Sequence, residues 1–121
     1  MKPDHMSSLV TWPDELDALI AAPQHHRLLM ENEKVRVLDA SIPPGETTCL
    51  HTHRYPATHY FLGWSDFVRK DADGLLLLDS RSLEKKPTVG SAMWSDPMGP
   101  HTLTNVGDSD LHVISVEVKQ A

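Results

Sequence analysis

From position 25 onward, turn-forming residues break the chain about every 8–12 residues, a rhythm that argues for an antiparallel sandwich or barrel. The segments between the breaks read as strands: His26 to Glu31, Lys34 to Ile42, Cys49 to His53, Thr58 to Leu62 and Asp66 to Lys70. Leu75 to Ser80, Ser91 to Ser95, His101 to Val106 and Leu111 to Lys119 complete the set. In the second of these, Val35 and Val37 alternate with Arg36, the pattern of a half-buried strand. Pro43-Pro44-Gly45 suits a turn, because proline presets φ and glycine accepts φ > 0. Asp71-Ala72-Asp73-Gly74 suits a hairpin-type turn.

Residues 1–24 read differently and are expected to form an arm. Trp12 to Ala22 predicts a short helix, with Pro13 near its start, acids in the first turn, and Pro23 ending it. Leu16, Leu19 and Ile20 fall at i, i+3, i+4 and give one apolar stripe. The arm is expected to pack outside the main body or on a partner subunit, leaving 25–121 as a single β-barrel domain. A chain of 121 residues and 13.5 kDa fits one domain and buries enough surface to need no structural metal or disulfide.

Charge and cysteine content narrow the partners. The net charge is −6 and no Lys/Arg cluster is longer than a pair such as Lys85-Lys86, so no nucleic-acid partner is expected. No apolar run approaches the ~20 residues of a membrane helix, and the N-terminus lacks a basic head followed by an apolar stretch. No membrane partner and no secretory leader are therefore expected. The single cysteine, Cys49, cannot form an internal disulfide and fits a reducing cytoplasm.

Histidine is the unusual component, with eight in 121 residues. His51-Thr52-His53 places two imidazoles on one strand face, about 6.6–7 Å apart along the chain, so both can converge on one ion. About fifty residues later, Pro97-Met98-Gly99-Pro100 reads as a tight turn delivering His101 to the start of a strand. Asn105 follows two alternations on, on the same face.

Together these two segments resemble the cupin family, and in particular small single-domain bacterial cupins. The first family motif is matched by Gly45, His51 and His53, and the second by Gly90, Pro97, Gly99, His101 and Asn105. The resemblance spans roughly residues 27–119. It implies an all-β, double-stranded β-helix jelly roll with a metal held in one barrel mouth by His51, His53 and His101, and a homodimeric state. The family's glutamate ligand falls at position 57 or 58, where this chain has Ala57 and Thr58. His59 stands on the same face as position 57, about 6.6 Å further along. It becomes a ligand if Pro56 creates a bulge that shifts the register; otherwise it is a pocket-lining or hydrogen-bonded histidine. Neutral imidazoles suit Zn, Fe, Ni, Cu or Co better than Mg or Ca.

Five further residues are candidates for the cavity wall. Cys49 shares the alternation of His51 and His53, Phe61 that of His59, and Trp94 precedes the second motif. Tyr60 and Asn105 complete the set, Asn105 more as a turn or supporting hydrogen-bonding residue than as a ligand. Tyr60 and Cys49 are also the acid–base candidates. His25, His26 and His112 have no evident partner and read as surface or strand-edge residues. Three functions remain open. One is a metal-dependent enzyme, dioxygenase-like, acting on a small organic acid or thiol. Another is a non-catalytic small-molecule or metal-binding module or sensor. The third is a barrel whose site has decayed. The motif histidines favour the first and the missing glutamate the others.

Overall fold

The computed structural model describes residues 11–119. The first ten residues of the expected arm and the last two of the expected barrel domain lie outside the described residues. Nine strands follow a short N-terminal segment: β1 (His26–Glu31), β2 (Val35–Ile42), β3 (His51–His53), β4 (Ala57–Gly63), β5 (Phe67–Asp71), β6 (Leu76–Asp79), β7 (Ala92–Ser95), β8 (Met98–Asn105) and β9 (Leu111–Val118). They form a five-stranded sheet in the order β1-β2-β9-β4-β7 and a four-stranded sheet in the order β3-β8-β5-β6. Every pairing is antiparallel. The all-β architecture expected from the turn rhythm is therefore present.

The turns behave as their residues require. Gly45 and Gly74 hold φ of 82° and 83°, a region open to glycine at no steric cost. The β5–β6 hairpin is pinned further by Asp71, whose Oδ1 accepts from the amides of Asp73 and Leu75, both at 2.9 Å. Inside the sandwich, Ile42, Phe67 and Leu111 form the buried cluster against which Trp64, Leu78, Leu103 and Val113 pack.

Two local expectations are corrected. The helix expected over 12–22 is split into a 3-10 turn (Asp14–Leu16) and one α-helical turn, α1 (Ala18–Ala21). Asp17 interrupts it because its carboxylate is turned inward to Arg36. The buried positions are consequently Asp17, Ala18 and Ala22, while Ile20, expected on the apolar stripe, is exposed. The second correction is to β2. Its buried face carries Arg36, Leu38 and Ile42, and Val35 and Val37 are only half-buried.

An arginine can occupy that inner face because it is fully paired. Arg36 donates to Asp17 through Nη1 and Nη2 at 3.0 and 2.9 Å, and through Nε to Glu117 Oε1 at 2.9 Å. Burial opposes ionisation of Asp17, but the Arg36 hydrogen bonds and charge hold its carboxyl below the usual value. The pair fastens the N-terminal segment to the large sheet. A short parallel bridge between Asp17 and Thr52 adds β3 to the same junction.

Asp17→Ala is expected to lower stability by about 3 kcal/mol, the lower end for breaking a buried ion pair, because Glu117 still faces Arg36. Arg27→Ala, which removes an exposed partner of Asp39, should cost no more than about 1 kcal/mol. Urea unfolding midpoints of the two variants check the contrast.

Candidate metal centre and cavity

Strand β3 is three residues long, yet it carries two of the histidines. His51 lies opposite His101 of β8, and His53 lies opposite Met98. Two β3 steps thus face three β8 steps, a bulge that draws Met98–Pro100 into the strand. The expected tight turn over 97–100 is therefore a bulged strand start, and His101 sits four residues inside β8. Gly99 within the bulge leaves room for the Trp12 ring of the N-terminal segment, which a Cβ there would meet at 3.4 Å.

The rings of His51 and His101 approach to 4.4 Å between centroids, and those of His53 and His101 to 5.5 Å. A further histidine joins them. His26, at the start of β1, is the one buried residue of its strand and lies 4.7 Å from His51 and 5.3 Å from His53. The expectation that His26 is a surface residue is thus corrected. The nitrogen atoms that His26, His51 and His53 offer lie within 4.8 Å of one another. His25 and His112 instead bond Glu46 and Asp39, each at 2.8 Å.

Each ring is oriented by its Nδ1. His26 donates to the Ala22 carbonyl at 2.9 Å, His51 to Cys49 at 2.7 Å and His101 to Gly99 at 2.7 Å. His53 donates to Glu117 Oε2 at 3.2 Å. Carbonyl and carboxylate oxygens only accept, so the proton of each neutral ring is on Nδ1 and each Nε2 carries a bare lone pair. His51 Nε2 and His53 Nε2 are 3.2 Å apart. Two ligand nitrogens at 2.0–2.1 Å from one tetrahedral ion are separated by roughly 3.3 Å. The donor set therefore fits a divalent transition metal in chemistry, and the His51–His53 pair fits it in spacing.

Glu117 is the carboxylate that motif reading missed. Ala57, in the empty glutamate slot, pairs directly with Glu117 on β9. Directly opposed residues share a sheet face, so a carboxylate is still delivered to this region, from the neighbouring strand. Burial pushes the Glu117 carboxyl up, against the opposing pull of Arg36. The alternation of Leu111, Val113, Ser115 and Glu117 is the signal that could have placed it inside. For His26, no such periodic signal exists.

His59 does not join the cluster. Its Nδ1 shares a hydrogen bond with Ser115 Oγ at 2.7 Å and its Nε2 with Ser95 Oγ at 2.6 Å. The register shift needed to bring it closer is missing at Pro56: β4 runs in regular register with β9 from Ala57 to Phe61, and the irregularity falls between Phe61 and Gly63. His59 lines a cavity of about 410 Å³, together with Phe61, Trp94, His26, His53 and His101. Three of the other wall candidates lie elsewhere. Cys49 is exposed because a bend at Leu50 breaks the alternation before β3 begins. Tyr60 points to the opposite face of β4 from Phe61 and is 43% exposed. Asn105 is buried, but its side chain ties the strand end: Nδ2 donates to Ile42 and Ser109 carbonyls, and Oδ1 accepts from Ser65 and Gly107.

No protein-family model and no curated protein matches the sequence. Solved structures do match the fold. A cupin domain from Bordetella pertussis aligns with a TM-score of 0.62 and 19% identity, covering 78% of this chain and 92% of its own. The chain has the cupin fold. An RmlC-like cupin family protein with a double-stranded β-helix fold from Methanocaldococcus jannaschii aligns at 0.54 with 13% identity, over 77% of each chain. A cupin superfamily protein from Desulfitobacterium hafniense aligns at 0.51 with 12% identity, over 98% of this chain and 92% of its own. The double-stranded β-helix implied by the motif residues is thus the observed fold, with a short N-terminal helix before it.

Burial pushes the pKa of His26 and His51 down to about 4 and that of His101 to about 3, with neighbouring histidine charge adding to the effect. Below an unfolded pKa of 6.5 the unfolded chain binds protons that the folded rings refuse, so stability falls. Metal-free protein is expected to hold full stability above pH 6.5 and lose it progressively as pH drops towards 4. Circular dichroism melts in EDTA across that window check the direction.

Proposed function

We propose that this cupin-fold protein binds one divalent transition metal through Nε2 of His26, His51, His53 and His101, beside a cavity that takes a small organic molecule. The observation that carries the reading is the set of Nδ1 hydrogen bonds, which leave each Nε2 unprotonated, together with the approach of the His26, His51 and His53 nitrogens to within 4.8 Å and of the His101 ring to 4.4 Å from that of His51. Nitrogen donors without a carboxylate favour Zn, Fe, Ni, Cu or Co. Glu117 holds the His53 ring and raises its basicity, the role of a carboxylate behind a metal-bound imidazole.

The finer reading is a non-haem, dioxygenase-like enzyme. A bound transition metal that takes more than these four ligands would supply an open coordination position for substrate and oxygen. The chain's own contribution is an apolar wall around that position, including Phe61, Trp64, Leu103 and Val113, which excludes water. His59 stands in the same wall between two serine hydroxyls and can relay a proton through them. A second reading, a non-catalytic binding barrel, is favoured by one observation: Tyr60 and Cys49, the acid–base candidates, are both outside the cavity.

Among the described residues no helix is long and apolar enough to cross a membrane. We place the protein in the cytoplasm, on the support of its single cysteine, and as a homodimer. Exposed Leu28, Leu29 and Met30 on edge strand β1 support the second point, since an open apolar edge invites pairing. Sedimentation at micromolar concentration should return twice 13.5 kDa; the monomer mass would contradict it.

His51→Ala and His101→Ala should each abolish stoichiometric metal at neutral pH, and His26→Ala should weaken retention by at least tenfold. His59→Ala should leave metal content unchanged. Elemental analysis of the purified variants decides. Full occupancy in both His51→Ala and His101→Ala would overturn the metal reading.

A further inference from the structure

Of the five arginines, Arg27, Arg36, Arg54 and Arg81 each have a carboxylate oxygen within hydrogen-bond distance. Arg69 is the exception. Among the described residues it has no carboxylate partner, and its Nε is buried without any hydrogen-bond partner. It sits in mid-β5, opposite Leu103 of β8 and Leu78 of β6, and lines the same cavity as those two leucines and the histidines. Its guanidinium lies 5.4 Å from the Phe67 ring centre. Its charge reaches the site, since it helps depress the pKa of His51, His59 and His101.

Arg69 is half-buried, a cation drawn partly from water without an anion is costly, and a guanidinium stays protonated rather than shedding its charge. The carboxylates nearby do not neutralise it. Asp71 is occupied by its hairpin amides, Glu117 by Arg36 and His53, and Asp96, the one carboxylate in the cavity lining, is exposed. Around Arg69 the wall is mostly apolar, with Phe61, Trp64, Leu78, Leu103 and Val113, and, Asp96 aside, its other polar members are neutral histidines and hydroxyls that carry no negative charge.

We propose that Arg69 is the anchor for the carboxylate of a small organic acid whose apolar body fills this cavity. This rests on the reading of the cavity as a ligand site, and it names the ligand's class. The planar fork of Arg69 matches a carboxylate through two parallel hydrogen bonds. A neutral amide of the same shape leaves the guanidinium uncompensated. The acid's far end then lies towards the histidine cluster, on the same β5–β8 surface.

The test uses benzoate and its neutral isostere benzamide, titrated calorimetrically into the native chain, as purified and after EDTA treatment. Benzoate is expected to bind at least tenfold more tightly than benzamide in both preparations. Arg69→Gln should erase that preference in the EDTA-treated chain and diminish it in the chain as purified, and Arg69→Lys should retain part of it, with metal content unchanged. Because it removes an unpaired, half-buried cation, Arg69→Gln should melt no lower than the native chain. Equal affinity for the two probes, no benzoate binding, or an undiminished preference in Arg69→Gln would each overturn the proposal. Should Arg69→Gln not fold, the two probes on the native chain still decide. The EDTA arm separates the two readings. A benzoate preference in a protein that never holds metal keeps Arg69 and sinks the metal centre, and metal with no preference does the reverse.

Discussion

The buried cluster of Asp17, Arg36 and Glu117 is the constraint from which both the fold's closure and the site's geometry follow. Three charges are sealed at the inner face of the large sheet, with side-chain exposures of 5%, 9% and 1%. Arg36 uses one guanidinium edge on the N-terminal segment and the other on β9. The second oxygen of Glu117 is then free to receive His53 Nδ1. One interaction thus joins the N-terminal segment, β2, β9 and β3. Each carboxylate satisfies part of Arg36's five-donor fork, which is why the cluster is tolerable away from water. Lysine, with a single point charge on a flexible stem, could not hold two carboxylates in fixed directions.

The histidine cluster shows a different economy. Four imidazoles packed together repel one another when protonated and burial penalises the charged form, so the folded protein keeps them neutral. Neutrality alone would leave each ring with two possible tautomers. The backbone removes that choice at three of them. The Cys49 and Gly99 carbonyls are both two residues before the ring they fix, and Ala22 is four before His26. Local chain geometry, rather than distant packing, therefore decides which nitrogen faces the centre. His53 differs because its Nδ1 partner, Glu117, is 64 residues away, so its orientation depends on the closed sheet.

The sequence was legible where periodicity or motif spacing carried the information. Strand order along the chain and both glycine turns follow from residues close in sequence, and the approach of His51, His53 and His101 from the spacing of two motifs about fifty residues apart. Failures came where a tertiary partner overrode a local pattern. Arg36 reads as the outward residue between two valines, and only Asp17 and Glu117 turn it inward. The stripe Leu16, Leu19, Ile20 reads as a helix face until Asp17 is pulled out of it. His26 gives no periodic cue, since its strand is otherwise exposed and its burial comes from docking over β3. Cys49 fails because alternation was extended across a bend. The unpaired state of Arg69 is a statement about what is absent from its surroundings, which no local pattern reports.

Moving the carboxylate from position 57 to position 117 has an electrostatic consequence for the whole cavity. A glutamate at position 57 that bound the ion directly would cancel one unit of its charge. At 117 the carboxylate lies behind His53 and shares Arg36 with Asp17, so it acts on the centre only through the His53 ring and not as a ligand. A divalent ion held by four neutral imidazoles would keep its full charge, and the Arg69 guanidinium adds another on the adjoining wall. In a low-dielectric cavity these charges would be weakly screened and repel each other. An anionic ligand lying between them would relieve that repulsion as it binds. The proposed preference for an acid over a neutral molecule would then have two sources acting in the same direction, the pairing with Arg69 and the charge of the metal-loaded histidine centre. The exposed Asp96 sits too close to solvent to substitute for either.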